Sequence, residues 1–336
     1  MLISMPEAST YKPRTVPRAH QAEGLRRWGQ RKAFALLMAM RTGKTKVVLD
    51  RWGELVSRGE LDALLVIGPG GAYRTWEGEI TKHLGEDLQS RLKVAVWQSS
   101  NTAARRACKA LLEITDRPRI LLVNVEALST VAEARVICAE FLKRGRAMLA
   151  VDEASDIRNK SKRTMSVLAL GELTKYRVIM SGLINPRSPL DFFYPFNFLD
   201  WHILGLRSWY GFRARYAVMQ DQYFGGRRVP VVVGYKNLGE LQEKIAPYSY
   251  RLLLKDCSEA PPPVYSMREV ELTAEQKRLY REMQENATAR LSEMEQITAT
   301  AVIVQIIRLH QILCGIAVDE IGGEHAVPER RTREML

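Results

Sequence analysis

The chain has 336 residues, room for a sizeable core and about two domains, and its apolar share of 46% is ordinary for a globular protein. No apolar stretch approaches ~20 residues, so no segment reads as a membrane span, and the N-terminus, with Pro6 and Pro13 and no long apolar core, does not read as a signal peptide. The net charge of +12 is uneven: residues 1–46 carry ten Lys/Arg against Glu7 and Glu23, an excess that suits a polyanionic partner, nucleic acid first. The four cysteines, Cys108, Cys138, Cys257 and Cys314, are far apart and lack metal-site spacing. They predict reduced, mostly buried thiols in a cytoplasmic-type compartment.

In chain order, the prolines between Tyr11 and Pro17 predict an extended lead-in, followed by a helix from about His20 with Ala22, Leu25 and Trp28 as its apolar side. Gln21 on that helix is a candidate base reader, because an amide both donates to and accepts from an adenine edge. The apolar run Ala33 to Met40 then leads through Arg41-Thr42-Gly43-Lys44-Thr45 into a helical run from Lys46 to Val56. Strand, tight loop, Gly-Lys-Thr and helix form the context of a phosphate-binding loop, although Met38 stands where the usual pattern has its first glycine. The backbone N–H groups of such a loop and the helix N-terminus face phosphates. Lys44 is expected to reach the β- and γ-phosphates and the Thr45 hydroxyl to hold Mg²⁺.

A second strand, Ala63 to Ile67, ends in Gly68-Pro69-Gly70-Gly71 and a helix carrying Tyr73, Trp76, Ile80 and Leu84. The exposed amides of that turn suit a phosphate diester as well as a nucleotide. Val94–Trp97 reads as a short strand, Ala103–Ile114 as a basic helix and Arg119–Asn124 as the next strand. The second strong signal is Ala147–Ser155, an apolar strand ending in two adjacent carboxylates. Asp152 at its tip is placed to hold Mg²⁺ through water, and Glu153 to polarise an attacking water. The basic run Arg158–Arg163 follows at the carboxyl edge of the implied sheet, where it suits phosphate-backbone contacts; a solvated helix start is the other reading. Tyr176–Gly182 is a further strand. Strand and helix alternate from Ala33 to Ser181, which implies a mainly parallel sheet covered by helices on both faces.

From Asn185 the composition changes: Pro186, Pro189 and Pro195 break the pattern and aromatics from Phe192 to Tyr216 crowd in. A helical insertion with these aromatics as its core is expected, with base stacking as the alternative. Gly225-Gly226 marks a turn, Asn237 starts a helix through Ile245, and Ala260–Pro263 is a linker. Val264–Leu272 reads as a strand, Thr273–Gln276 as a capping box, and two helices cover about 274–294 and 298–314, with Gly315 as the stop. The second helix is apolar over more than one face, which suggests burial or an interface. The expected divisions are thus 1–185, a mainly helical insertion at 186–263, a strand and helices at 264–316, and a loose polar tail at 317–336.

With these residues in view, the chain resembles the Swi/Snf-type branch of the superfamily-two helicases and DNA translocases, in the compact form found in phages and mobile elements. The resemblance covers about residues 14–316. It rests on Pro17–Leu25, Met40–Thr45, Pro69 with Trp76 and Glu79, Asn124–Leu128, Val151–Ala154, Arg158–Lys160, Ser181-Gly182, Ser188–Asp191, Phe198–Asp200, Arg213–Tyr216, and Gln276 with Leu279-Tyr280. It implies a RecA-like P-loop lobe that binds ATP and Mg²⁺: Gln21 reads adenine, Arg41 to Thr45 cradle the triphosphate, and Asp152 and Glu153 complete the hydrolytic site. By the same resemblance the Gly70, Gly71 and Arg74 turn, the Asn124 to Glu126 strand end, and Arg158, Lys160 and Arg163 track the backbone of DNA, duplex by preference. A bacterial or phage-infected cytoplasm is the implied setting.

Three departures qualify this. Ser155 stands where the family often has His, and Leu183-Ile184 where it usually has Thr-Pro, in the segment that couples hydrolysis to movement. The third is the second RecA-like lobe, which carries the arginine fingers and is expected to come from another polypeptide or a longer parent chain. Such fingers contribute about 10³–10⁵ in rate in other phosphoryl-transfer enzymes, so this chain alone is expected to bind nucleotide and hydrolyse it weakly or not at all. Two further readings stay open: a non-motor nucleic-acid-binding module with a degenerate ATP site, and an unrelated small-molecule kinase, against which the Trp76/Glu79, Val151–Ala154 and Ser188–Asp191 series speaks.

Overall fold

In the computed structural model, which describes residues 11–182, 188–224, 227–257, 266–267, 269–292, 299–318 and 323–329, the apolar runs form parallel strands. These are β1 (Ala33–Met38), β2 (Ala63–Gly68), β3 (Lys93–Val96), β4 (Arg119–Asn124), β5 (Ala147–Val151) and β6 (Tyr176–Ser181). Between them run α1 (Ala19–Trp28, ahead of β1), α2 (Lys44–Ser57), α3 (Ala72–His83), α4 (Glu86–Arg91), α5 (Thr102–Leu112), α6 (Ala127–Thr130), α7 (Ala132–Lys143) and α8 (Lys162–Gly171). The expected strands and the basic helix at 103–114 are present to within a residue or two.

Because successive strand residues point to opposite faces, each apolar run feeds two cores. Ala35, Leu37, Leu65, Ile67, Leu121, Val123, Leu149 and Ile179 face one core, filled by Phe141, Phe196 and Phe212. Phe34, Leu36, Leu64, Val66, Leu122, Met148 and Val178 face the other, closed by Trp28, Trp52 and Trp76. Burying one such side chain fully is worth about 1.5–3 kcal/mol, so two continuous cores hold the sheet from both sides.

The described residues of 188–257 pack onto this same body. After Ser188 a capped 3₁₀ turn leads into α9 (Phe193–Leu204) and α10 (Trp209–Tyr216), and most of the aromatics are buried in the first core, as expected. The expectation of a mainly helical insertion needs correcting. The chain next forms an antiparallel ribbon, β7 (Ala217–Phe224) and β8 (Arg227–Tyr235), then α11 (Leu238–Ile245) and β9 (Ser249–Leu252). β9 joins the main sheet parallel to β1, giving seven parallel strands in the order β3-β4-β2-β5-β6-β1-β9. Tyr250 and Leu252 alternate into the second core, a pattern too short to stand out beside the preceding helix.

The chain divides into units 1–261 and 262–336, near the Pro-rich linker. In the second unit α12 (Ala274–Ser292) starts at the expected capping box: Thr273 N–H donates to Gln276 Oε1 (3.1 Å) and Gln276 N–H to Thr273 Oγ1 (3.2 Å). Gln276 Nε2 also donates to Ile312 O (3.1 Å), tying α12 to α13 (Ala299–Leu313). Two corrections apply. The described residues of 264–272 form no strand, and the supposedly loose tail includes a short hairpin, β10 (Ile316–Val318) with β11 (Glu324–Ala326). Ile303, Ile306 and Ile307 of α13 are exposed. No helix among the described residues is long and apolar enough to cross a membrane.

Candidate active site

All strands of the main sheet run the same way, so their carboxyl ends share one edge, where open α/β sheets place ligands. The register sets the neighbours on that edge. Leu37 pairs with Ser181, Ile67 with Val151, and Gly68 with Asn124, so the loops after β1, β2, β4, β5 and β6 lie side by side.

The loop after β1 turns through Arg41 (φ 64°) and Gly43 (φ 78°) before α2 begins at Lys44. Gly43 is required twice over: its φ lies in the left-handed region, and a Cβ there would sit 2.2 Å from Gln21 Nε2. Gln21 is buried against the loop. Its Oε1 accepts from the Arg18 N–H (2.9 Å) and its Nε2 donates to Thr42 O (3.2 Å), which also meets His20 Nε2 (2.9 Å). Thr42 is itself buried, its hydroxyl donating to Ala39 O (2.7 Å). Lys44 Nζ folds back onto Met38 O (3.0 Å) and Ala39 O (3.3 Å). Burial pushes the Lys44 ammonium down in pKa, opposed by the charges of Asp152 and Glu153.

Gln21, Arg41, Gly43, Lys44, Thr45 and Asp152 line one cavity of ≈ 590 Å³, with Arg18, Glu79 and His83 among the other walls. Thr42 does not line it. Asp152 follows β5 and is fixed by two bonds. Its N–H donates to Ile67 O (2.7 Å), and its Oδ2 accepts from the indole N–H of buried Trp76 (2.9 Å). Burial raises the Asp152 pKa, opposed by that indole N–H and by Lys44. An ammonium bonded, among the described residues, to backbone carbonyls, together with a hydroxyl and a half-buried carboxylate around one cavity, makes a donor set that fits a polyphosphate with Mg²⁺.

Glu153 stands apart from Asp152. At φ 56°, ψ 70° it is one of three described non-glycine residues with positive φ, and its carboxylate turns to the neighbouring strand end. Oε1 accepts from Ser155 Oγ (2.8 Å) and Ser181 Oγ (3.1 Å). Ser155, the departure from the family's usual His, therefore contacts Glu153 directly, and this bond could not be read from sequence. Leu183-Ile184 lies outside the described residues.

The candidate backbone contacts lie on the same edge. Gly70 and Gly71 (φ 85°) form the turn after β2, and Arg74 lies over the Tyr73 ring (5.8 Å). Asn124 Nδ2 donates to Glu126 Oε2 (3.4 Å), and Glu126 directly precedes α6 without a side-chain bond to its first turn. Arg158 lines a smaller cavity with Ser155, Ser181 and Asp191, Lys160 is exposed, and Arg163 lies in the first turn of α8 behind the Ser161 cap. Burial raises the Asp156 pKa, opposed chiefly by Arg163, so the run and the carboxylates share one field.

Two contributors were not singled out from sequence. Trp76 was visible only as a motif residue, with no role attached. Lys46 and Asp50 form a buried ion pair (2.7 Å) on α2, and Lys46 also donates to Thr15 O (2.8 Å), tying the lead-in to the cavity wall. An i,i+4 Lys/Asp pair inside an apolar helix was the available signal.

A family model described as the SNF2-related domain matches residues 13–317. The chain belongs to the SNF2-related family. That family is one of DNA-dependent ATPases and translocases, which use ATP with Mg²⁺. No curated protein sequence matches the chain. Among solved structures it is similar to the Sulfolobus solfataricus SWI2/SNF2 ATPase core domain, with a TM-score of 0.51 and 21% identity. The match covers 91% of this chain and 58% of that one, a likeness of fold. The SNF2-related chain thus has the RecA-like parallel sheet expected of it.

Proposed function

We propose that this SNF2-related chain is the ATP-binding lobe of a DNA-dependent ATPase of the translocase or helicase type. The observation that carries the reading is the single cavity shared by Gly43, Lys44, Thr45 and Asp152, with Glu153 on the next loop position. Lys44 leaves its two carbonyls for the β- and γ-phosphate oxygens, and the amides at the start of α2 complete the cradle. Thr45 and Asp152 hold the metal, Trp76 keeping the Asp152 carboxylate turned toward the cavity. Bound Mg²⁺ supplies charge neutralisation on the phosphates. Glu153 takes the proton of the attacking water, with Ser155 and Ser181 fixing its orientation. Gln21 reads the adenine edge with the donor and acceptor capacity its two bonds leave unused.

The turn at Gly70, Gly71 and Arg74, Asn124 with Glu126, and Arg158, Lys160 and Arg163 follow the DNA backbone. Efficient turnover needs a second RecA-like lobe to supply cationic side chains to the γ-phosphate. The test is binding of a fluorescent ATP analogue by the purified chain beside Lys44→Ala, together with hydrolysis with and without duplex DNA. Mg²⁺-supported, Lys44-dependent binding with little hydrolysis is expected. Addition of a second lobe should bring DNA-stimulated turnover that Glu153→Gln abolishes. Binding that ignores Lys44→Ala would overturn the nucleotide site.

A further inference from the structure

Residues 201–236 contain six Arg/Lys and a single carboxylate, Asp221, which makes this segment a second basic region well away from the N-terminal one. Its aromatics fall into two groups. Phe212 and Tyr216 are fully buried. Tyr210 and Tyr223 stay at the surface, each beside an arginine, and Trp201 is half-buried. Trp201 is covered, with the Arg207 guanidinium over its ring at 4.3 Å and the His202 ring 3.7 Å from it, whereas Arg213 lies over Tyr210 at 5.5 Å and leaves Tyr210 72% exposed. On the ribbon Tyr223, 73% exposed, is the direct cross-strand partner of Arg228, which is held by Asp221 at 2.5 Å.

Cross-strand partners share a face, so Tyr223 and Arg228 form a third aromatic–arginine pair. The ribbon is its own two-stranded sheet, and residues 220–223 and 228–230 are exposed on both of its faces. A lone hairpin is marginal in water, so an exposed one with Val229, Val232 and Val233 on its surface is a costly feature unless something uses it. Pro230 removes a donor from β8 and the bulge at Val218/Met219 twists its partner, both of which discourage addition of another protein strand.

We infer that the described residues of 201–236 form a track for single-stranded DNA, in which Tyr210 and Tyr223 offer faces to unpaired bases and Arg207, Arg213 and Arg228 meet the phosphates. Alternating aromatic faces and guanidinium groups on a strongly basic segment are what sequence-tolerant single-strand binding needs, because every base has a π-face and every linkage a charge. Duplex DNA has no free base faces and would use only the arginines. The track deepens the DNA-dependent reading above: it adds a place for an unpaired strand to the backbone contacts of the sheet edge, and it rests on that reading.

The experiment measures anisotropy of a labelled oligothymidylate and of a labelled blunt duplex with the full chain, its Tyr210→Ala/Tyr223→Ala variant, and an Arg158→Glu/Arg163→Glu variant. Stacking loss predicts that the tyrosine variant weakens oligothymidylate binding by about fivefold or more per ring, with duplex binding held within about twofold. A Tyr210→Phe/Tyr223→Phe variant should keep wild-type affinity. Failure of the wild-type chain to bind oligothymidylate, an unchanged affinity in the alanine variant, or an equal loss on both DNAs would overturn the track. The charge-reversal variant should lose duplex binding; if it does not, the backbone reading of the sheet edge fails while the tyrosine arm still decides the track.

Discussion

Trp76→Phe removes one hydrogen bond and leaves the ring in place, which makes it the sharpest probe of the proposed metal side of the site. The indole N–H donates to Asp152 Oδ2 at 2.9 Å, and Trp76 is 1% exposed. A hydrogen bond to a charged acceptor is worth about 1.5–3 kcal/mol, and loss of a partner that orients a metal ligand costs about 10–100-fold in metal affinity. The half-saturating Mg²⁺ concentration for nucleotide binding should therefore rise about 10–100-fold, while Mg²⁺-free nucleotide binding, which depends on Lys44 and the loop amides, stays as it was. The packing loss needs its own control. Trp52 is equally buried in the same core, and its indole N–H donates to Ala63 O at 3.2 Å, away from the carboxylate. Trp52→Phe should lower the thermal midpoint by a similar amount and leave the Mg²⁺ dependence alone. If the two variants shift the Mg²⁺ titration equally, or neither shifts it, Trp76 is a core residue only and the placement of Asp152 owes nothing to it.

The remaining expectations test other parts of the framework. Lys46→Met alone should destabilise the chain by about 3–5 kcal/mol in urea unfolding, because it strands the buried Asp50 carboxylate. The double variant Lys46→Met/Asp50→Leu should recover most of that loss, since Asp50 Oδ1 has no partner among the described residues; no recovery would show the pair to be irreplaceable. Gly43→Ala should abolish nucleotide binding even when combined with Gln21→Ala, because removing the amide relieves the clash but not the positive φ. Rescue by the double variant would make space, not backbone conformation, the constraint. Glu240 accepts from Arg215 (2.5 Å), Lys244 (3.0 Å) and Tyr216 (3.1 Å), which lowers its pKa to about 2. A carboxylate depressed in the folded state contributes stability above its unfolded pKa and loses it as pH falls through the folded one. The thermal midpoints of wild type and Glu240→Gln should converge as pH drops from about 4.5 to about 2. A constant gap across that range would refute the linkage.

How much of this was legible in the chain depends on the range over which each feature is determined. The strands from Ala33 to Ser181, the capping box at Thr273 and the paired carboxylates after β5 are local patterns, and the folded chain has them where the sequence places them. β9 was not legible, because four residues alternate too briefly to outweigh the helix before them and their partner β1 lies some two hundred positions earlier. The ribbon was missed for a different reason: the aromatics on either side of Ala217 look alike in composition, yet Phe193, Phe196, Phe212 and Tyr216 fill the core while Tyr210 and Tyr223 do not. Composition alone cannot divide packed rings from presented ones; only burial does. The same holds within the site. Lys44, Thr45 and Asp152 announce themselves by their motifs, but what disciplines them is non-local: Trp76 on Asp152, Gln21 on the loop carbonyl, and Ser155 with Ser181 on Glu153. Ser155 shows the consequence most clearly. Judged as a single letter it is a departure from the family's habit, whereas in the fold its hydroxyl is one of two that share a single oxygen of Glu153. A motif difference at such a position is a change in how the carboxylate is held, and its effect belongs to the pair, so Ser155→Ala and Ser181→Ala should couple instead of adding.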